Sequence, residues 1–304
     1  MHKDKLLDDL MAREFRTYNL DTSIEYVDLS DNHFRGSPFF FLGFPHIQYV
    51  NMSKNYFDDS LSLTMVPPEK YVSSLKFLDL SNNLLSGVFH TDIDTIFPSL
   101  QVVIASYNCF APSIPISFCN LHNISTLIMN KMGSECKSTD VSICLNTFRT
   151  RISSPYHSIP PCLFQLTSLQ TLHLIGNYLN GKLSEATPSL VSLSLVGNLL
   201  VGSVPKSIQL SSTLTDLQLS LNRLEGTLHN FAFENLPLNS TIQLYSNRLS
   251  GNIPKSMDSF KKNNADILTG DLFYYVDSPP SNIKNYKTYS CGSNSINFYE
   301  TFYT

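Results

Sequence analysis

The stretch Leu169–Gly181 has the sequence LQTLHLIGNYLNG, and its pattern recurs twice in close succession. Residues 190–202 are LVSLSLVGNLLVG, and residues 214–226 are LTDLQLSLNRLEG. All three copies carry Leu at positions one, four, six and eleven, Asn at position nine and Gly at position thirteen. A period of roughly 20–29 residues is typical of architectures in which neighbouring copies stack on one another.

The same frame extends over most of the chain in looser copies. With substitutions it fits residues 24–36, 47–57, 75–87, 100–110 and 239–251. The most degraded copy contains Ile124, Leu127 and Met129, and it has Met132 where Asn belongs. The sequence therefore predicts about nine repeats, eight of which keep the asparagine.

The residue types explain how such copies fold. One copy is too short to bury its own apolar residues, so neighbours must stack into a continuous core. The Leu-x-Leu segment predicts a short strand, because alternate side chains of a strand point to one side. The Asn amide can satisfy backbone groups where the chain turns, and the following Gly tolerates unusual backbone angles. We predict an α/β solenoid with a parallel sheet on its concave face.

Several copies continue into a Gly-x-Ile-Pro motif. Gly251-Asn252-Ile253-Pro254 matches it fully, Gly202-Ser203-Val204-Pro205 differs at one position, and Ile114-Pro115 and Ile159-Pro160 keep the dipeptide. In these features the chain resembles the plant-type leucine-rich repeat of receptor-like protein and receptor-like kinase ectodomains, and similar arrays occur in microalgae and other protists. The resemblance implies a right-handed superhelix and an extracellular recognition module.

The repeats divide the chain into three predicted segments. Residues 24–260 form the solenoid, with an insertion at 130–158, and residues 261–304 form a carboxy-terminal cap or tail. The amino-terminal cap of the family carries paired cysteines and a Trp, but this chain has no Trp and no Cys before Cys109. We therefore expect residues 1–23 to be a truncated cap, and no kinase motif follows the repeats.

Composition and motifs exclude several functions. The net charge of −4 and the 15% of charged residues provide no basic stripe for nucleic acid. No apolar run is long enough for a membrane span, and no secretory signal is visible at the start. We found no catalytic motif, no metal-ligand spacing and no cofactor fingerprint, so the sequence predicts a protein that binds rather than catalyses.

The cysteines and the N-glycosylation sequons bear on the compartment. Cys136 and Cys144 are close enough for a small disulfide loop inside the insertion, which is either a binding element or a tolerated surface loop. Cys119 and Cys162 follow two Ile-Pro dipeptides and are either buried thiols or a disulfide. Sequons begin at Asn51, Asn123 and Asn239. Glycans are expected at the last two, because Asn51 would lie on the binding face.

The repeat register predicts which side chains point outward from the sheet. The candidate ligand contacts are an aromatic ladder, two flanking acids, an apolar strip and a histidine: Tyr26, Tyr49, Phe77, Asp28, Asp79, Ile104, Ile128, Ile175, Val196 and His173. Exposed apolar patches often mark interaction sites. The alternative is structural, since aromatic and β-branched side chains stabilise strands without any ligand.

Three functions remain open from the sequence. The first is the extracellular part of a receptor-like or adhesion protein that binds a protein, peptide or glycan. The second is a secreted enzyme inhibitor, and the third is an intracellular scaffold. The redox state of the cysteines separates the third from the other two, because disulfides persist in oxidising compartments.

Overall fold

The computed structural model describes residues 23–60, 73–89, 91–134, 158–259, 265–267 and 269–274. The chain forms two compact units, Met1–Leu169 and Gln170–Thr304. We call them the first and the second unit. Both consist of stacked repeats with parallel strands, which confirms the predicted solenoid architecture.

In the first unit, each repeat contributes one three-residue strand to a parallel sheet. These strands are β1 (Tyr26–Asp28), β3 (Tyr49–Asn51), β5 (Phe77–Asp79), β7 (Val102–Ile104) and β9 (Thr126–Ile128), paired in that order. Two-residue strands follow the turns, with β2 (Arg35–Gly36) beside β4 (Tyr56–Phe57) and β6 (Ser86–Gly87) beside β8 (Cys109–Phe110). Helix α1 (Ile93–Ile96) and the 3₁₀ helices Phe39–Gly43, Ile116–Asn120 and Pro161–Gln165 complete the repeats.

The second unit repeats this plan with longer second strands. Its first parallel sheet contains β10 (Thr171–His173), β12 (Ser192–Ser194), β14 (Asp216–Gln218), β16 (Thr241–Gln243) and β18 (Ala265–Asp266). A second sheet contains β11 (Asn180–Lys182), β13 (Leu199–Gly202), β15 (Arg223–Gly226), β17 (Arg248–Asn252) and β19 (Leu272–Tyr274). Its helices are α2 (Lys206–Gln209) and the 3₁₀ segments Phe233–Asn235 and Lys255–Ser259.

The core follows from the alternation within each short strand. The central residue of a strand is buried, as at Val50, Leu78 and Leu127, and its two neighbours face outward. In the repeats after the first, the apolar residues that flank the strand are buried as well, so each of these repeats inserts a row of side chains into the core. Burial of apolar surface contributes about 25 cal/mol per Å², and stacking gives each repeat that surface to bury.

The repeat asparagines form a hydrogen-bonded series that we call the asparagine ladder. The amide nitrogen of Asn108 donates to the carbonyls of Leu80, Ala105 and Ser106 at 2.9, 3.3 and 3.3 Å, and its oxygen accepts from the Leu85 N–H at 3.1 Å. Asn83, Asn198 and Asn222 repeat this pattern. Each asparagine therefore joins two repeats through buried backbone groups.

The second unit contains a further repeat that the sequence frame did not reveal. Ala265 pairs in register with Ile242, and the side-chain oxygen of Asp271 accepts from the Leu249 N–H at 2.8 Å. Asp271 thus replaces asparagine in the ladder. The substitution, together with one additional residue between Ile267 and Asp271 compared with the preceding copies, hides this repeat from the template. It occupies part of the segment that the sequence assigned to the tail.

The degraded copy in the first unit continues the array by a different contact. Met132 is buried at the ladder position, and its backbone carbonyl accepts from the Phe110 N–H at 2.7 Å. Gly133 then forms an antiparallel bridge with Cys109. The first residues of the predicted insertion are therefore part of the repeat, whereas 135–157 lie outside the described residues.

Two of the cysteines left open by the sequence form a disulfide. Cys119 and Cys162 are bonded, with their Cα atoms 5.6 Å apart, and they join the 3₁₀ helices Ile116–Asn120 and Pro161–Gln165. Cys109 is disulfide-bonded as well. The predicted Cys136–Cys144 loop lies outside the described residues.

Candidate functional site

Ten outward side chains on the strands of the first unit form a surface that we call the first-unit face. Its first row contains Tyr26, Tyr49, Phe77, Val102 and Thr126, and its second row contains Asp28, Asn51, Asp79, Ile104 and Ile128. Register pairing brings each residue beside its counterpart in the next strand. Strand neighbours lie about 4.8 Å apart, so five strands span roughly 19 Å.

The aromatic residues of the first row are stacked on one another. The ring centroids of Tyr26 and Tyr49 are 4.2 Å apart and those of Tyr49 and Phe77 are 4.3 Å apart, with 7° between the planes in both pairs. Both faces of the Tyr49 ring are therefore covered by protein. A ligand above the sheet therefore meets the ring edge and the hydroxyl of Tyr49. It does not meet an open aromatic face on which a sugar could stack.

The acidic residues of the second row cap the turns that follow their strands. The Asp28 carboxylate accepts from the Ser30 N–H at 2.9 Å, and the Asp79 carboxylate accepts from the Ser81 N–H at 2.8 Å. Asn51 accepts from the Ser53 N–H at 3.1 Å in the same geometry. An uncharged amide thus performs the same capping, so the turns do not require the charges of the two aspartates.

Asp28 and Asp79 differ in their electrostatic surroundings. Hydrogen bonds from Ser30 hold the pKa of Asp28 below its usual value. Burial raises the pKa of Asp79, although bonds from Ser81 oppose this shift. No ion pair to either carboxylate occurs among the described residues. Lys76, which directly precedes β5, donates from its ammonium group to the Gln48 side-chain oxygen at 2.9 Å.

The apolar residues predicted as one strip occupy two kinds of position. Ile104 and Ile128 are half-buried neighbours on β7 and β9 of the first-unit face. Ile175 and Val196 lie in the second unit, each two residues beyond the end of its strand, and are half-buried there. The structure therefore brings Ile104 and Ile128 together within one sheet, while Ile175 and Val196 belong to turns.

The corresponding surface of the second unit is a polar network around His173. The imidazole Nε2 lies 2.7 Å from the Ser192 hydroxyl, which donates to Asp216 at 3.1 Å. The Gln218 amide donates to Asp216 at 2.9 Å and accepts from the Ser194 hydroxyl at 3.3 Å. Burial lowers the pKa of His173, against the opposing effect of Asp216.

The order of this network does not fit nucleophilic catalysis. In a hydrolase triad, histidine lies between serine and the carboxylate and takes the serine proton. Here Ser192 lies between His173 and Asp216 and donates its proton to the carboxylate. With the serine proton directed to Asp216, the imidazole Nε2 is the donor to the Ser192 oxygen, which is the reverse of its role in a triad.

The sequence analysis placed Asn51 on the binding face but did not include Asn51, Val102 or Thr126 among the candidate contacts. Asn51 lies between the candidates Asp28 and Asp79, and Val102 and Thr126 continue the row of Tyr26, Tyr49 and Phe77. The repeat register was sufficient to find them, because each occupies the same position as its neighbours. Within the part of the chain that the structure describes, no group of three or more His, Cys, Asp or Glu side chains is arranged to hold a metal ion. Among the same residues, no helix has the length and apolar character needed to span a membrane.

Comparisons with known proteins agree with this architecture. The family model described as Leucine Rich Repeat matches residues 74–96. Receptor-like protein 54 of Arabidopsis thaliana is 30% identical over 162 residues, which cover 53% of this chain and 17% of that protein. The chain spans about a fifth of the length of the Arabidopsis receptor-like proteins it matches.

Two solved structures show the same fold. The plant peptide hormone receptor RGFR1 in complex with RGF2 matches with a TM-score of 0.54 and 21% identity, covering 82% of this chain and 44% of that one. A plant ice-binding protein matches with a TM-score of 0.62 and 17% identity, covering 86% of this chain and 76% of that one. The fold is thus that of a leucine-rich-repeat solenoid, and the chain resembles part of the Arabidopsis receptor-like proteins.

Proposed function

We propose that the chain is a non-catalytic ligand-recognition module from the extracellular part of a receptor-like protein, and that the first-unit face contacts the ligand. The observation that carries this proposal is the composition of that face. It combines tyrosine hydroxyls, two carboxylates without an ion pair among the described residues and the half-buried Ile104 and Ile128. Such mixed surfaces with aromatic and apolar groups are typical of interaction sites.

The second unit supports a binding role over a purely structural one. Its strands have the same parallel pairing, yet Ser192, Ser194, Asp216 and Gln218 stand at the outward positions. Strand pairing in this fold therefore does not require aromatic or aliphatic residues facing outward. Their concentration on the first-unit face is better explained by a ligand that needs them.

The disulfide and the similar proteins support an extracellular location. Disulfides form and persist mainly in oxidising compartments, and the Cys119–Cys162 bond lies within the repeats themselves. The relatives are named receptor-like proteins, and RGFR1 is described as a peptide hormone receptor. These features favour a receptor-like module over an intracellular scaffold.

The test compares the ligands of the intact face with those of a disrupted one. The purified chain is screened against a randomised peptide library and a glycan array, in parallel with the double variant Ile104→Asp, Ile128→Asp. We expect the intact chain to enrich a set of probes that the variant no longer enriches. Two charges placed in an apolar contact should weaken binding at least tenfold, because each charge would lose water on binding.

A matched control carries the same chemical change elsewhere in the first unit. Ile116 is 74% exposed in the 3₁₀ helix Ile116–Asn120, away from the strands. Ile116→Asp should leave enrichment unchanged, and circular dichroism should show that all variants remain folded. If the double variant enriched the same probes as the intact chain with equal affinity, the first-unit face would be excluded as the site.

A further inference from the structure

The chemistry of the first-unit face changes along the row of strands. Its β1–β5 end carries Asp28, Asn51 and Asp79, whereas its β7–β9 end carries Ile104 and Ile128 in the same row. An acidic site and an aliphatic site therefore follow one another across the strands. A ligand that uses both must extend along this row.

The acidic end fits a cation. Asn51 lies between Asp28 and Asp79, and its amide donates to the Asp28 carboxylate at 3.3 Å. A positive charge above Asn51 would lie about 5 Å from each carboxylate, given the spacing of strands, and both interactions would be attractive. The Tyr26 hydroxyl, 3.5 Å from the Asp28 carboxylate, adds a polar group beside the same place.

The aromatic stack argues against a sugar and against a cation held by a ring face at this position. Tyr49 has a ring on each side, at 4.2 and 4.3 Å, so no face of it is open. A basic group above Asn51, beside Tyr49, would consequently bind through the carboxylates. The aromatic row offers ring edges and hydroxyls along the side of the ligand.

Building on the proposed function, we infer that the first-unit face binds an extended peptide in which a Lys or Arg lies three or four positions from an aliphatic residue. The separation follows from the geometry of the two sites. The middle of the acidic end is at β3 and the middle of the aliphatic end is between β7 and β9, about 12 Å apart at the strand spacing. An extended peptide advances about 3.3 Å per residue.

The experiment starts from a randomised library of peptides of about ten residues, long enough for the roughly 19 Å of five strands. Sequences enriched by the intact chain are synthesised, and their dissociation constants are measured by fluorescence anisotropy. We expect the enriched set to carry a basic residue three or four positions from Leu, Ile or Val. Replacing that basic residue with Gln should weaken binding about fivefold. Added salt should weaken the binding of the unmodified peptide more than that of the Gln peptide, because salt screens the charge interaction.

Variants of the chain test which of its residues recognise the basic part and the aliphatic part of the peptide. Asp28→Asn with Asp79→Asn should remove the preference for the basic residue and leave the aliphatic preference intact. These changes keep the acceptor that caps each turn, as Asn51 does naturally. Asp31→Asn is the control: it removes one exposed charge in the first unit at a position with φ 59°, which Asn tolerates.

The outcomes separate this inference from the proposed function. The inference would be wrong if the enriched peptides lacked the basic–aliphatic pattern. If the Ile104→Asp, Ile128→Asp variant no longer bound those peptides, the first-unit face would still be the binding site. Enrichment of glycans alone would do the same. If no probe bound the intact chain more tightly than that variant, both the inference and the proposed site would be wrong.

Discussion

The residue before each ladder position adopts a left-handed backbone conformation throughout the described repeats. Gly176, Gly197 and Gly270 occupy it with φ of 66°, 68° and 75°, and the other repeats place a residue with a side chain there. Leu221 does so with φ 57°. A branched apolar residue is disfavoured in this region by about 1 kcal/mol, whereas Asn and Gly are tolerated.

Leu221→Asn should therefore stabilise the second unit. Leu221 is 50% exposed, so the loss of its side chain removes little packing, and its N–H can still donate to the Tyr245 carbonyl. We expect the free energy of unfolding to rise by about 0.5–1 kcal/mol, measured by urea denaturation. Gly197→Ala, at the equivalent position of another repeat, should lower it. A destabilised Leu221→Asn variant would contradict this account.

Asp271 introduces a titratable group into the asparagine ladder. Burial raises its pKa to about 8, although hydrogen bonds from the backbone of Leu249 and Asn247 oppose the shift. The unfolded carboxyl ionises near pH 4, so between about pH 4 and pH 8 the folded chain binds more protons than the unfolded chain. The free energy of unfolding must then fall as the pH rises through this range.

Asp271→Asn should remove this pH dependence, because asparagine fills the same position in the other repeats without a charge. Between pH 5 and pH 8 the parent should lose up to about 1.4 kcal/mol of stability per pH unit relative to the variant, since one pKa unit corresponds to about that free energy. Urea denaturation at pH 5 and pH 8 measures the difference. Asp31→Asn, which removes an exposed carboxyl, serves as the control, and an equal slope in parent and Asp271→Asn would refute the assignment.

At the scale of the repeat, the asparagine ladder couples neighbouring elements. Asn108 satisfies three carbonyls and one N–H from two repeats, all of them buried. Asn32, in the first described repeat, is exposed and donates to the carbonyls of Leu29 and Ser30 within its own repeat. The same position of the repeat therefore joins two repeats at Asn108, whereas at Asn32 it donates to its own repeat.

Asn108→Ala should destabilise the first unit far more than Asn32→Ala. The first change removes the bonds of Asn108 to the Leu85 N–H and the Ala105 carbonyl, whereas the Leu80 and Ser106 carbonyls keep bonds from Asn83 and from the Asn82 N–H. Each buried group that loses its partner costs about 1–3 kcal/mol. We expect a loss of roughly 2–4 kcal/mol for Asn108→Ala and under about 1 kcal/mol for Asn32→Ala. Urea denaturation followed by circular dichroism compares them, and similar losses would show that coupling between repeats is unimportant.

The elements also show which features a sequence pattern can reveal. The strands, the ladder and the outward register follow from a template, because period and residue type are visible along the chain. The turn caps at Asp28, Asn51 and Asp79 are bonds to the second residue along the chain, and the stacking of Tyr49 is a contact between repeats. The apolar periodicity describes neither. The repeat containing Asp271 was hidden because its ladder residue is an aspartate and its spacing is longer by one residue.

At the scale of the whole molecule, the two units share a repeat but differ in what they present. The first-unit face combines aromatic, acidic and aliphatic groups, and the strands of the second unit present the hydrogen-bonded network of His173, Ser192 and Asp216. Both surfaces use positions that leave the core and the ladder unchanged. The fold can therefore keep its stability while its outward residues vary, and function must be assigned from those residues.

The glycosylation sequons test whether Asn51 is held within the first-unit face. Asn123 and Asn239 are exposed, and each side chain can reach an enzyme in the secretory pathway. Asn51 is half-buried, donates to Asp28 and accepts from the Ser53 N–H and hydroxyl at 3.1 and 2.8 Å. A glycan at Asn51 would break these bonds and cover the proposed binding site.

When the chain is expressed with a signal peptide in a plant or insect secretory host, we expect glycans at Asn123 and Asn239 and none at Asn51. Peptide mapping by mass spectrometry after enzymatic removal of the glycans in heavy-oxygen water identifies the modified positions. Asn123→Gln and Asn239→Gln provide matched variants that should each lose one glycan. Occupancy at Asn51 would exclude the first-unit face as a binding site, because the sugar would stand on the surface that the ligand must reach.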